Sequence, residues 1–285
     1  MRAHAVTKAS FLAISAVLAA VFLCVSVAEQ HPSASAFAPK VEPIHAATHQ
    51  KVSSSNAQKR SPTLLAMVAP DTSSVLLPIV DQPEIHTDQK LLADAVLRRL
   101  PSLCRDHLEH FYVLYQGATQ RGLGGKTTII IDGSAVGNEF VGLMTHECGH
   151  VIHGNLLGNL DSGPSNFKDG SDVFAKDSPA AAFFAISWVN EGKMKATAKK
   201  TDFASGYGQT NAFEDFAEFF TSYVLDRPWL EARAKTNVAI AAKLNWMETN
   251  LPLSQNVLGT GMETWNKTVP WDATKLSFAW NPETL

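Results

Sequence analysis

The chain has 285 residues, of which 45% are hydrophobic, and a formal net charge of −3. That length allows one or two domains with a true core. The slight acidity, and the lack of a Lys/Arg stripe interleaved with aromatics, argue against nucleic-acid binding.

Residues 1–28 read as a targeting segment. Arg2 and Lys8 precede an apolar run from Phe11 to Ala28, and Ser26-Val27-Ala28 supplies the small residues of a cleavage site. The run approaches membrane-spanning length. Two forms follow: a cleaved signal peptide, or a signal-anchor spanning the membrane through residues 11–28 with its positive end inside. Both place the rest of the chain outside the cytoplasm, secreted or membrane-anchored. The bulky Leu23 argues against lipid attachment at Cys24.

Residues 29–82 read as a low-complexity, disordered linker. Between His31 and Pro62 the chain is rich in Ser, Ala, Pro, Lys and His, and it buries too little apolar surface to offset its ordering entropy. The more apolar stretches Leu64–Val68 and Val75–Val80 either pack on the domain or form a short pro-segment.

The folded domain is expected over residues 83–250. Thr87 caps a helix running to Leu100, with Leu91, Leu92, Ala95, Val96 and Leu100 on its buried side. Past Pro101, a short helix covers Ser102 to about His110. Phe111–Tyr115 is aromatic and β-branched and reads as a strand. Gly122–Lys126 reads as a flexible turn. Thr127–Ile131 is a strong strand, either an ordinary core strand or the edge strand on which zinc peptidases pair an extended substrate.

The motif H-E-x-x-H follows at His146, Glu147 and His150. On a helix, residues four apart share a face, so the two imidazoles can grip one metal ion. Glu147 lies at the edge of that face, within reach of a metal-bound water. Two ligands and a general base then come from one turn of helix, as in zinc hydrolases. The bland alternative is a helix whose histidines are surface or satisfied core residues. Phe140, Leu143, Met144 and Val151 recur at helical spacing, so this helix has a buried side, where clustered histidines need partners. Gly154 is a helix stop.

Gly158–Lys176 and Asn190–Ala204 read as long polar loops and candidate cleft walls. Asp161, Asp169, Asp172 and Asp177 lack EF-hand spacing, so solvated loop acids are expected rather than bound calcium. Between the loops, Ser178-Pro179 opens a buried helix over Ala180–Trp188.

A zinc site needs a third protein ligand. The metzincin pattern fails, because His153 stands where it has Gly and Leu156 where it has His. As a ligand, His153 would require three side chains of one straight helix to converge on one ion. Glu214 is the better candidate. Thr210 or Asn211 caps a helix whose Phe213, Phe216, Ala217, Phe220 and Val224 form a buried stripe. Glu214 and Glu218 border that stripe one turn apart. Glu214 can complete a His₂Glu set, and Glu218 can orient a ligand histidine. Otherwise both are acids favoured by the helix dipole.

The segments Thr145–His150 and Tyr207-Gly208-Gln209-Thr210-Asn211…Glu214-Asp215-Phe216-Ala217-Glu218 together resemble the catalytic domain of the anthrax lethal factor-like zinc peptidases, a gluzincin group. The resemblance covers roughly residues 85–250. It is similar in scale to the small bacterial extracytoplasmic members of that clan, without the toxins' large partner-binding domains. It implies a mostly helical, zincin-like α+β domain with a small sheet, in which the active-site helix carries H-E-x-x-H. His146, His150 and Glu214 would be the zinc ligands, Glu147 the base and Tyr207 the hydroxyl that meets the transition state.

Arg227-Pro228-Trp229 opens another helix, and Val238, Ile240, Leu244 and Trp246 continue the helical pattern to about Asn250. In the tail over residues 251–285, Trp265, Trp271, Phe278 and Trp280 are expected to pack onto the domain. Cys148 lies about 200° round the helix from His146, behind the metal face. Cys104 and Cys148 are expected as free buried thiols. The function that follows is a zinc-dependent endopeptidase acting on a peptide or protein substrate outside the cytoplasm. The alternatives are a non-catalytic, zinc-stabilised cell-envelope binding module and a peptidoglycan peptide hydrolase or amidase.

Overall fold

The computed structural model describes residues 75–253 and 268–275, all within one compact unit, Ser61–Leu285. The targeting segment, the linker up to residue 74, and Trp265, Phe278 and Trp280 lie outside the described residues. Among the described residues, no helix is long and apolar enough to cross a membrane. The described elements form an α+β fold of helices and three small sheets.

Helix α1 (Thr87–Arg99) buries Gln89, Ala93, Asp94, Val96 and Leu97, while Leu91, Leu92 and Ala95 are only half-buried. The buried stripe keeps Val96 and Leu100 of the expected face but is rotated toward Gln89, Ala93, Asp94 and Leu97. Gln89 Nε2 donates to Gly133 O and Ala135 O, and Asp94 Oδ1 accepts from Leu77 N–H. These polar side chains belong to the packed stripe because the fold supplies their partners, which hydrophobic periodicity cannot see. Thr87 is the first helical residue rather than the cap; His86 is the N-cap, with no side-chain bond.

Helix α2 (Ser102–His107) leads into the principal sheet, formed by β1 (His110–Leu114), β2 (Gly122–Gly124) and β3 (Thr128–Asp132). The strand order is β1-β3-β2, parallel between β1 and β3 and antiparallel between β2 and β3. Phe111, Val113, Ile129 and Ile131 alternate into the core. One expectation is corrected: the glycine-rich Gly122–Lys126 stretch contains a strand, not only a turn. Of the two readings of Thr127–Ile131, the core strand is the one observed, since β3 lies between β1 and β2, and β2 is an edge.

Helix α3 (Gly137–Gly154) carries the metal motif and is buried along nearly its whole length. It is tied to α2 by a Cys104–Cys148 disulfide, both cysteines being fully buried. This replaces the expected free thiols, because the fold brings the two Cα atoms to 5.4 Å across a separation of 44 residues.

The first expected polar loop contains a hairpin of β4 (Pro164–Asp169) and β5 (Asp172–Ala175), turning at Gly170 with φ of 57°. Only Phe167 of β4 faces the core, so its sequence is too polar to read as a strand. Ser178 caps α4 (Pro179–Ser187), its side chain accepting from Ala181 N–H. The second expected loop begins with a short hairpin of β6 (Trp188–Asn190) and β7 (Lys193–Met194). Asn211 caps α5 (Ala212–Leu225). Two helices follow, α6 (Arg227–Ala234) and α7 (Val238–Asn250), the second capped by Asn237.

Helices α3 and α5 cross where both are small. A Cβ on Gly149 would stand 2.8 Å from Ala217 Cα. That close approach sets the histidine face of α3 against the glutamate face of α5.

Candidate metal centre

The caps and the crossing determine what meets. Asn211 Oδ1 accepts from the N–H groups of Phe213 and Glu214, both at 2.9 Å, which fixes the first turn of α5 and with it Glu214. His146 Nε2 and His150 Nε2 are 3.3 Å apart. Glu214 Oε2 is 3.2 Å from the first and 3.5 Å from the second. A tetrahedral ion with bonds of about 2.0–2.1 Å holds its ligand atoms about 3.3–3.4 Å apart. The three donor atoms thus already form one face of such a tetrahedron. Glu214 Oε2 is buried with no hydrogen-bond donor, as an anionic oxygen awaiting a cation would be. The donor set fits a zinc ion.

Glu147 stands beside this face, one of its carboxylate oxygens lying within 4.8 Å of one ring nitrogen each of His146 and His150. It is Glu214 Oε2, not Glu147, that closes the 3.2–3.5 Å triangle with the two imidazoles. The Glu147 carboxylate instead lies against β2, where a Cβ on Gly122 would overlap its Oε1. A Cβ on Gly124 would come within 2.8 Å of both Glu147 O and His150 Cβ. Glycine at both positions lets the strand run directly over the site.

Burial pulls the His146 imidazolium down, but Glu214, Glu218 and Glu147 outweigh it and hold the ring well above its ordinary pKa in the metal-free protein. Burial raises Glu214, yet His146 and His150 hold it far below the usual carboxylate range. Glu147 is raised, chiefly by burial and against the pull of both histidines. Burial, then the neighbouring Glu214 carboxylate, push the Tyr207 phenol up, so it stays protonated. Tyr207 opens a 3₁₀ turn, Tyr207–Gln209, and its hydroxyl donates to Glu214 Oε1 at 3.3 Å.

Glu218 is fully buried one turn beyond Glu214. Its Oε1 is 2.8 Å from His146 Nδ1, an ion-pair contact. Its Oε2 accepts from Ala273 N–H at 2.7 Å. His153 does not face the donor triangle. It sits behind His150, with Nε2 at 3.0 Å from His150 Nδ1. Burial, and then His150, hold its pKa well below the ordinary value.

The fold therefore brings together His146, Glu147, His150, Tyr207, Glu214 and Glu218. Sequence reasoning missed the supports. Lys243 Nζ lies 2.6 and 2.8 Å from the two Asp215 oxygens, both residues being fully buried, and Trp188 Nε1 donates to Asp215 Oδ2 at 2.9 Å. This ties the first turn of α5 to α7. Buried Arg233 donates to the carbonyls of Thr201, Phe203 and Ala204, just ahead of the Tyr207 turn. Gly206 and Tyr207 N–H groups donate to Pro270 O and Trp271 O, both at 2.7 Å. The described stretch at residues 270–273 thus docks through its backbone, while the Trp271 side chain, 73% exposed, covers Gly206 and stands beside the Tyr207 ring. Only the Gly122-x-Gly124 spacing carried a signal, that of close backbone approach. Comparison with protein-family models, curated proteins and solved structures finds no match to this chain.

Proposed function

We propose that the protein is a zinc-dependent endopeptidase of gluzincin type, with a zincin-like catalytic domain, acting outside the cytoplasm. The observation that carries this reading is the triangle of His146 Nε2, His150 Nε2 and Glu214 Oε2, whose edges of 3.2–3.5 Å match those of a tetrahedral ion. Two imidazoles and a carboxylate, with Glu147 alongside, form the donor set of a hydrolytic zinc rather than of a closed structural site. When bound, zinc supplies Lewis acidity toward water and the scissile carbonyl.

The chain's own residues do the rest. Glu147, its carboxyl raised by burial, takes a proton from the attacking water and later delivers it to the leaving amine. Tyr207 keeps its proton and donates a hydrogen bond to the developing oxyanion. Glu218 holds His146 from behind through Nδ1. The substrate lies extended along β2, the edge of the principal sheet that runs against Glu147. The Cys104–Cys148 disulfide supports an oxidising, extracytoplasmic setting.

The test is zinc content and peptide cleavage on one preparation of the chain, beside Glu147→Gln. One zinc per chain is expected in both, with cleavage reduced about 10²–10⁴-fold in the variant. Zinc in both without cleavage by the parent would leave a zinc-stabilised binding module. No zinc in the parent would end the reading. Tyr207→Phe should retain zinc and lower kcat about 10²–10³-fold, with little change in KM.

A further inference from the structure

His153 is the one member of the histidine cluster to which this reading gives no role. It is 1% exposed and enclosed by phenylalanines. Phe213 stacks on its ring at 5.1 Å with an interplanar angle of 11°. Phe216, Phe184 and Phe174 surround it at 5.6, 5.8 and 6.4 Å. Its Nδ1 is buried with no hydrogen-bond partner. Such a cage favours an apolar side chain, which would fill it without stranding a polar atom. What a histidine adds is one lone pair, and it is aimed at a single target, His150 Nδ1, 3.0 Å away.

The proton assignment follows from the triangle. His150 Nε2 faces His146 Nε2 and Glu214 Oε2, so as a metal donor it carries no proton. The proton of a neutral His150 ring is then on Nδ1, and it points at His153 Nε2. His153 must therefore be neutral, with its own proton on Nδ1, inside the aromatic cage. Most ligand histidines are held from behind by a carboxylate, a carbonyl or water. Here His146 has the Glu218 carboxylate, and His150 has an uncharged imidazole.

We propose that His153 is a positioning residue: its caged imidazole accepts the Nδ1 proton of His150 and thereby fixes His150 Nε2 as a metal donor. This rests on the metal centre proposed above, though not on its being a peptidase.

The experiment is zinc titration of the metal-free full chain in competition with a chromogenic chelator, for the parent, His153→Phe, His153→Leu and His153→Gln. The Phe and Leu variants fill the cage and remove the acceptor. Gln restores an acceptor oxygen near the position of Nε2. Zinc affinity should fall about 10- to 100-fold in Phe and Leu and recover most of that in Gln. Metal-free melting temperatures of Phe and Leu should stay at or above the parent's, which separates lost positioning from lost folding. In proton NMR of the zinc-loaded forms, a slowly exchanging His150 Nδ1 proton should be present in parent and Gln and absent from Phe and Leu. Parent-like affinity in Phe or Leu would overturn the proposal. So would loss of zinc stoichiometry in every variant, Gln included, since His153 would then be a ligand itself. A parent that holds no zinc would overturn it together with the metal centre. A parent that holds zinc, is weakened by Phe and rescued by Gln, yet cleaves no peptide, would support His153 as assigned and end the peptidase reading alone.

Discussion

At Glu214, burial and charge pull in opposite directions. Burial raises the carboxyl, the His146 and His150 imidazoles lower it further, and Oε2 is left without a donor. The arrangement suits a carboxylate facing a cation, so Glu214→Ala should abolish stoichiometric zinc binding in a metal assay. Survival of one zinc per chain would place the third ligand elsewhere. The histidines then set the pH dependence. His146 is raised in the metal-free fold, so its contribution is full below about pH 6.5 and is lost as pH rises through its raised value. His153 is lowered and acts oppositely, penalising the fold below about pH 6.5. Glu214, being depressed, contributes above its unfolded value of about 4.3 and loses this as pH falls through its folded value. In the metal-free protein, then, His146 and His153 oppose each other between pH 7 and 5. With zinc on both Nε2 atoms, His146 joins His153 in excluding a proton that the unfolded chain accepts. Each such histidine costs up to about 1.4 kcal/mol per pH unit below its unfolded value. Melting temperature should therefore fall more steeply from pH 7 to 5 in the zinc-loaded protein than in the metal-free one. Parallel slopes would remove the histidines as ligands.

Two elements bring chemistry to α3, and each does so through a particular contact. Strand β2 approaches through Gly122 and Gly124. In Gly124→Ala the new Cβ would sit 2.8 Å from the backbone oxygen of Glu147, so the strand must lift away. A displacement of about 1 Å at a reacting site can cost up to about 10²-fold. kcat/KM should accordingly fall at least about tenfold in Gly124→Ala. Gly125→Ala, whose Cβ meets nothing within 4 Å, should leave it unchanged. Equal values for the two would mean that β2 does not shape the site. Helix α5 is anchored by the buried Asp215–Lys243 pair. Lys243→Met would leave the Asp215 carboxylate buried with only Trp188 as donor, a loss of about 3–5 kcal/mol in chemical denaturation. A loss below about 1 kcal/mol would show that water or rearrangement satisfies Asp215, as at exposed pairs.

Across the whole molecule, legibility followed the range of the interaction. H-E-x-x-H and the Glu214/Glu218 spacing are local patterns on helices, and a period of 3.6 residues reports them directly. The cap, equally local, is narrowed by sequence to Thr210 or Asn211, and the structure selects Asn211. The rotated face of α1, the strand hidden in Gly122–Gly124 and the Asp215–Lys243 pair depend on partners far along the chain. Sequence periodicity carries no record of those partners. The Cys104–Cys148 bond is the clearest case. Two cysteines 44 residues apart say nothing of distance until α2 and α3 are packed. Once packed, they close a loop whose removal from the unfolded ensemble is worth about 4 kcal/mol. A domain of this size shifts about 2–4 °C per kcal/mol, so Cys104→Ala/Cys148→Ala should melt about 8–16 °C lower than the parent. The candidate metal centre has supports besides that bond. Helix α3 is pinned independently by α5 at Gly149 and by β2 at Gly122 and Gly124. Zinc stoichiometry at 25 °C should therefore survive in the double variant while its thermal resistance drops. Loss of zinc at 25 °C would mean that α2, through the disulfide, holds the histidine face in place. An unchanged melting temperature would mean that the unfolded chain is already compact enough for the cross-link to restrict nothing.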